Sequence, residues 1–203
     1  EQKAIPVMMH EPEARNSWAP ELFYDPSTKN YLIFWATTIP GRFAETAGSS
    51  EDKYNHRIYY TATRDFQSFS PTKPLYDPGF NSIDATIVKD GPRYVMFLKD
   101  ETLNPPQKNI KTAFSDKAEG PYGPASAPIT GAYWAEGPTA IRIGGYWYVY
   151  FDRYSEGRYG AVRSKDMKIW EDISDTVSFP EGMRHGTVFR VSKAVFDRLS
   201  PPR

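Results

Sequence analysis

Cysteine is absent from this 203-residue chain. Its absence excludes disulfides and thiolate metal sites, and it is compatible with an oxidising or a reducing compartment. Charge of one sign is not in excess either: 25 Lys and Arg stand against 25 Asp and Glu. A balanced chain with no basic run lacks the electrostatic footprint of a nucleic-acid or anionic-membrane partner, so neither is expected and a neutral ligand is. No run of about 18 apolar residues occurs, so nothing reads as a membrane-spanning helix. The first residues lack the basic start and apolar middle of a signal peptide. A glycine-rich phosphate loop, a nucleophile elbow and an HExxH pattern are missing as well.

What the chain does contain is a repeat. "WAPELFYD" (18–25) leads to "NYLIFWAT" (30–37), "HRIYYTAT" (56–63) and "DFQSFSPTKPLYD" (65–77). The same order returns as "SIDATIVKD" (82–90), "RYVMFLKD" (93–100), "NIKTAFSD" (109–116) and a Pro/Gly-rich close, "GPYGPASAPI" (120–129). It returns again as "AEGPTAIRI" (135–143), "GYWYVYFD" (145–152), "YGAVRSKD" (159–166) and "KIWEDISDTVSFPE" (168–181). Turn punctuation such as "DPSTKN", "KDGPR" and "IGG" separates the runs, so each unit predicts four short antiparallel strands. Quartets recurring every roughly 50 to 60 residues fit the blades of a β-propeller better than a sandwich, and no long helix is predicted. The expected fold is all-β, a single propeller domain over 1–203 with about three complete blades. "MRHGTVFRVSKAVFDRL" (183–199) reads as the opening strand of a further unit, and "EQKAIPVMMHEP" (1–12) as the outer strand of another. The chain is therefore expected to begin and end mid-blade, with a segment missing upstream. The insertion 38–55 is loop-like, and long loops on such folds shape ligand sites.

The first strand of a propeller blade lines the central channel, so residues opening each unit converge at one mouth. Glu21, Asp84, Glu136 and His185 occupy those openings. Carboxylates gathered on one axis raise at least one pKa and can hold a proton for donation, which is what acid/base hydrolysis requires. The aromatic neighbours Trp18, Trp35, Tyr133, Trp134 and Tyr154 are suited to stacking on sugar faces. Against this stands a plainer reading, in which an acid at a strand start is a turn residue and the aromatics of "YWYVYF" fill the core. His56 is a candidate for tying a loop into the site. Arg153 and Arg184 are candidates for binding a sugar hydroxyl or orienting a carboxylate, although arginines at strand ends are usually solvated or paired. His10, Met8 and Met9 read as structural.

Taken together, "WAPELFYD", "SIDATIVKDG", "AEGPTAIRIGGYWYVYFD" and "MRHGTVFRV" resemble the successive blade openings of glycoside hydrolase family 43, the five-bladed propellers that include arabinofuranosidases, β-xylosidases and endo-arabinanases. The resemblance covers essentially the whole chain. It implies inverting hydrolysis of α-L-arabinofuranosyl or β-D-xylosyl linkages in plant polysaccharides, and the 38–55 loop points to exo action. By motif, Asp84 in "IDA" matches the aspartate that modulates the acid, and Glu136 in "AEGP" matches the general acid. His185 in "RHG" matches a histidine near a central water-bound metal ion. No cofactor is required, although a structural Ca2+ near the channel axis is implied. Trp18, Glu21, Trp35, His56, Trp134, Arg153 and His185 are the expected substrate-binding set. The implied partner is an arabinose- or xylose-containing oligo- or polysaccharide, the implied location secreted or periplasmic, and open blade edges imply self-association.

One part of the family pattern is missing. Its base lies in an aspartate-proline motif upstream of the "WAPE" blade, and Asp25, which precedes Pro26, falls in a turn pointing away from the channel. The alternative is thus a non-catalytic carbohydrate-binding propeller that lacks its base. A retaining fructosidase-type propeller fits less well, because Gly137 follows Glu136 where that acid motif has cysteine.

Overall fold

A computed structural model describes residues 4–199. The chain forms three antiparallel sheets, each a meander in sequence order. The first contains β1 (Trp18–Asp25), β2 (Asn30–Thr37), β3 (Arg57–Thr63) and β4 (Lys73–Tyr76). The second contains β5 (Ser82–Asp90), β6 (Arg93–Asp100) and β7 (Asn109–Ser115). The third contains β8 (Glu136–Ile143), β9 (Tyr146–Arg153), β10 (Arg158–Ser164) and the two-residue β11 (Glu171–Asp172). The inner strands meet, β1 on β5 and β5 on β8. One short helix, α1 (Lys193–Leu199), follows.

The near-continuous apolar runs of the central strands follow from burial on both faces. β6 sends Met96 and Leu98 into a core shared with Leu32, Phe34 and Ile58 of the first sheet. Its alternate residues Val95 and Phe97 enter a second core with Val149 and Phe151 of the third. Phe97 and Phe151 are fully buried, and each such side chain contributes about 1.5–3 kcal/mol. The β8–β9 turn is Gly144–Gly145, φ 56° and 88°, between the paired Ile143 and Tyr146. Two successive positive φ values make the tight hairpin whose twist matches its strands.

Three features differ from the sequence-based expectation. The second unit has three strands, because Pro121, Pro124 and Pro128 remove the donors a ladder needs. That segment runs beside β7 on a wider rhythm: Gly123, Ser126 and Ile129 donate to the carbonyls of Phe114, Thr112 and Ile110, each at 2.8 Å. Residues 183–192 contain no strand. Their backbone is held by side chains in place of a ladder, Gly186 N donating to the Tyr159 hydroxyl at 2.8 Å and Val188 N to Thr139 Oγ1 at 3.0 Å. Residues 4–17 form turns with no strand, and 1–3 lie outside the described residues. Met8 packs beside Trp35, Ile39 and Tyr59, while Met9 is exposed.

Each inner strand is interrupted by the same device. The ladder shifts register between Trp18 and Glu21, between Ile83 and Thr86, and between Glu136 and Thr139. A left-handed residue sits inside each bulge: Ala19 (φ 48°), Asp84 (φ 55°) and Gly137 (φ 57°). His185 (φ 40°) repeats the conformation in the segment without a strand. The chain positions "WAPE", "IDAT", "EGPT" and "RHGT" are thus structurally parallel, and bulges of this kind re-aim side chains at sites. This corrects the expected equivalence of the four openings. Asp84 and His185 occupy the left-handed position, Glu136 stands one residue before it and Glu21 two residues after it.

Candidate active site

The four parallel turns line a small open cavity of about 130 Å³, with Ala19, Glu21, Asp84, Gly137, His185 and Thr187 among its walls. A larger cavity of about 410 Å³ shares Ala19, Asp84 and His185 with it and adds Trp18, Glu51, Tyr54, Lys99, Glu101 and Glu136. Asp84, Glu136 and His185 each offer a ligating atom within 4.8 Å of the others.

Asp84 is 7% exposed, and its Oδ2 accepts the Gly137 N–H at 3.0 Å. Burial pushes its carboxyl up, against the opposing charges of His185 and Lys99. Glu136 behaves oppositely. Burial would raise it, but the His185 hydrogen bond and the Lys99 ammonium together hold it at about 2. Its Oε2 accepts Lys99 Nζ at 3.0 Å, and its Oε1 lies 2.9 Å from His185 Nε2 and 3.3 Å from Arg184 Nη2. The hydrogen bond to Glu136 in turn raises His185, whose ring packs where a Cβ on residue 137 would stand, 2.9 Å away. Gly137 is therefore required twice, for its backbone angle and for the space it leaves. Two carboxyls of the site are raised, Asp84 and Glu21, but burial and not the crowding of carboxylates is the main cause, and the Glu136 expected to hold the proton is lowered. Burial lifts Glu21 despite the hydroxyl of Thr187, which donates to Oε1 at 3.2 Å.

The remaining expected residues divide. Trp18 lines the larger cavity and packs on Tyr54, ring centroids 4.6 Å apart. His56 lies beneath them, 2% exposed, stacked on Tyr54 and bonded through Nδ1 to Asn81 Oδ1 at 3.1 Å. Burial lowers His56 to about 4, so the ring is neutral at physiological pH. Trp134 stands one layer out, beside Tyr154 and over Lys108. Trp134 lines neither cavity, and two further expectations do not hold in place. Trp35 is 2% exposed in the cluster with Ile39 and Tyr59, where its strand turns it away from the cavity. Arg153 pairs with Glu156 at 2.6 Å and lies 3.7 Å over the Tyr133 ring, lining neither cavity. Asp25 is an internal turn brace, accepting from Ser27, Thr28 and Tyr94 and held at about 2 despite burial.

Lys99, Glu101, Lys108 and Tyr54 were not anticipated. Their signal in the sequence is slight: the apolar run "YVMFL" is broken by "KDE" where the strand's alternation calls for another apolar side chain. Lys99 also ion-pairs with Glu101 Oε2 at 2.5 Å, and Lys108 with Glu101 Oε1 at 2.5 Å. Arg184, a candidate for binding a sugar hydroxyl or orienting a carboxylate, bonds Asp152 as well as Glu136.

The resemblance implies a calcium held near His185 through water, and direct ligation by Asp84, Glu136 and His185 is a different arrangement. Calcium takes six to eight oxygen ligands. Here Glu136 is already engaged by Lys99, Arg184 and His185, and the imidazole is turned to Glu136, so the set does not fit a directly bound calcium ion.

Residues 1–197 match a family described as "Probable glycosyl hydrolase domain", related to glycoside hydrolase family 43. The chain belongs to this family of family 43-related glycosyl hydrolases. An α-L-arabinofuranosidase from Bifidobacterium longum is 30% identical over 99 residues, 47% of this chain and 9% of that protein. Among solved structures, a family 117 glycoside hydrolase from Zobellia galactanivorans aligns over 84% of this chain and 58% of its own, with a TM-score of 0.60 and 12% identity. An exo-β-1,3-galactanase from Phanerochaete chrysosporium, with β-1,3-galactotriose, aligns over 76% and 35%, with a TM-score of 0.55 and 11% identity. At those identities the structural likeness concerns the fold. The chain spans about a tenth of its curated relative and roughly a third to three fifths of these structures.

Proposed function

We propose that the three sheets are blades of a five-bladed propeller and that the larger cavity hydrolyses α-L-arabinofuranosyl or β-D-xylosyl linkages, with exo action set by the 38–55 loop. The observation that carries this reading is the meeting of Asp84, Glu136 and His185 on one cavity walled by Trp18 and Tyr54. The aromatic wall stacks a neutral sugar, Glu136 protonates the departing oxygen, and Asp84 holds Gly137 and the local potential. In the free protein Glu136 is ionised, with hydrogen bonds on both oxygens. Loading it with a proton therefore has to displace one of its cationic neighbours, and sugar entering beside His185 and Arg184 is what displaces them. Inverting enzymes separate acid and base by about 6.5–9.5 Å. Asp84 lies within 4.8 Å of Glu136, so it works on the acid's side of the sugar and is not the base. Glu21, on the smaller cavity, is the remaining carboxylate with a raised pKa, and it is half-buried. No step requires a cofactor.

The test is turnover of 4-nitrophenyl α-L-arabinofuranoside and β-D-xyloside, with the product anomer followed by proton NMR. Weak hydrolysis with inversion is expected, lowered in Glu136→Gln and by less on these activated substrates than on glycosides with poor leaving groups. Retention of configuration would overturn the mechanism. Sugar binding without turnover by either substrate would replace the enzyme with a carbohydrate-binding propeller.

A further inference from the structure

Buried lysines are rare and need a reason. Along β6, Val95 and Phe97 face the third sheet, and Lys99 continues their row where a further apolar side chain would extend the core. It is 3% exposed. Replacing a buried ion pair with apolar residues of similar volume is often neutral or stabilising, so fold stability alone does not account for a lysine there. Its surroundings do. The ammonium reaches Glu136 Oε2 at 3.0 Å and Glu101 Oε2 at 2.5 Å, and lies 4.5 Å from the Tyr154 ring centroid. Glu101 is fixed in turn by Lys108, which is 2% exposed. Burial opposes the charge on Lys99, but Glu101 and Glu136 outweigh it and raise the pKa, so the ammonium persists.

Glu136 thus has two unlike sides. Its Oε1 partners are at the mouth: the side chains of His185 and Arg184 are 42% and 58% exposed. Its Oε2 partner has a side chain only 4% exposed. We infer that Lys99 is a positioning residue that fixes Glu136 through Oε2, leaving Oε1 as the oxygen that exchanges a proton with the substrate. The chain Lys108–Glu101–Lys99 forms the rigid backing of that carboxylate. The inference rests on the hydrolase reading for its catalytic part, but not for its geometry.

Two measurements separate those parts. In the whole chain labelled with 15N and 13C, a scalar coupling across the hydrogen bond between Lys99 Nζ and the Glu136 side-chain carboxyl carbon is expected, together with slow exchange of the Lys99 ammonium protons. Absence of both overturns the clamp, whether or not the chain turns over any substrate. In the assay, a misplaced acid matters most when the leaving group is poor. Lys99→Met is expected to lose about tenfold in kcat on 4-nitrophenyl α-L-arabinofuranoside and a further tenfold or more on the methyl glycoside, with KM changed little. Lys99→Arg, which keeps the charge and the fold, is expected to recover most of the loss on the nitrophenyl substrate. An equal loss on both leaving groups, or a change confined to KM, would overturn the positioning role. A wild-type chain inactive on every glycoside would sink the hydrolase reading while the NMR coupling still decided the clamp.

Discussion

The openings of β5 and β8 share a backbone and differ in their electrostatics. Both bulge, and both place a left-handed residue one step inside the cavity, Asp84 in one and Gly137 in the other. The carboxylate at the first is buried with a single backbone N–H on Oδ2 and titrates high. The carboxylate at the second faces Lys99, Arg184 and His185 and titrates at about 2. Repetition of the fold therefore sets where the acids stand, and the residues contributed by neighbouring strands set which of them carries a charge.

The comparison breaks most visibly at Glu136. Its replacement by glutamine is expected to lower kcat by about 10²–10⁴-fold, with the larger losses on poorer leaving groups. Next in size is Gly137→Ala. It forces a β-carbon into the left-handed region and against the His185 ring, for a combined cost of about 2–3 kcal/mol by chemical denaturation. Gly91→Ala is its control, since Gly91 has φ +59° but nothing within 4 Å. It should cost only the backbone term, about 1 kcal/mol, and equal costs at the two glycines would dissolve the claim that Gly137 seats His185.

The two carboxylates should also respond to pH with opposite signs, the smallest effect of the three. The folded pKa of Glu136 lies below its ordinary 4.5, so its ionisation stabilises the fold above that pH, and the gain is lost as pH falls toward about 2. The folded pKa of Asp84 lies above its ordinary 3.8, so its stabilising contribution is complete below 3.8 and declines as pH rises through the folded value. Asp84→Asn, which keeps an acceptor for Gly137, is accordingly expected to be more stable than wild type at pH 7 and to lose that advantage below pH 3.8. Glu136→Gln should be less stable than wild type at pH 7 and level with it near pH 2. Melting curves of the two variants across pH that move in the same direction would refute the contrast.

The sequence made the sheets legible because alternation, turn chemistry and recurrence agree in the first and third units. In the second unit the proline spacing was visible, yet its outcome depended on Ser126 and Thr130 lending side-chain oxygens to the N–H groups of Thr112 and Ile110, a contact between segments that no local pattern encodes. Asp84, Glu136 and His185 could be paired by motif, whereas their one-residue offsets arise from bulges, which become definite only when strands pair. Trp35 misled because an aromatic on a strand between two covered faces has the same local sequence whichever face it takes. Lys99 was passed over because a lone lysine at the end of an apolar run normally reaches solvent, and here three elements close over it.

The strip from Pro121 to Thr130 has a consequence for assembly. It answers the carbonyls of Phe114, Thr112 and Ile110 with its own N–H groups, and the N–H groups of Thr112 and Ile110 with hydroxyls. An edge covered in this way offers a foreign strand fewer free groups, so the middle sheet is less open to the edge-to-edge recruitment that begins aggregation. Prolines that cost the sheet its fourth strand thus leave it with a border already occupied by its own chain.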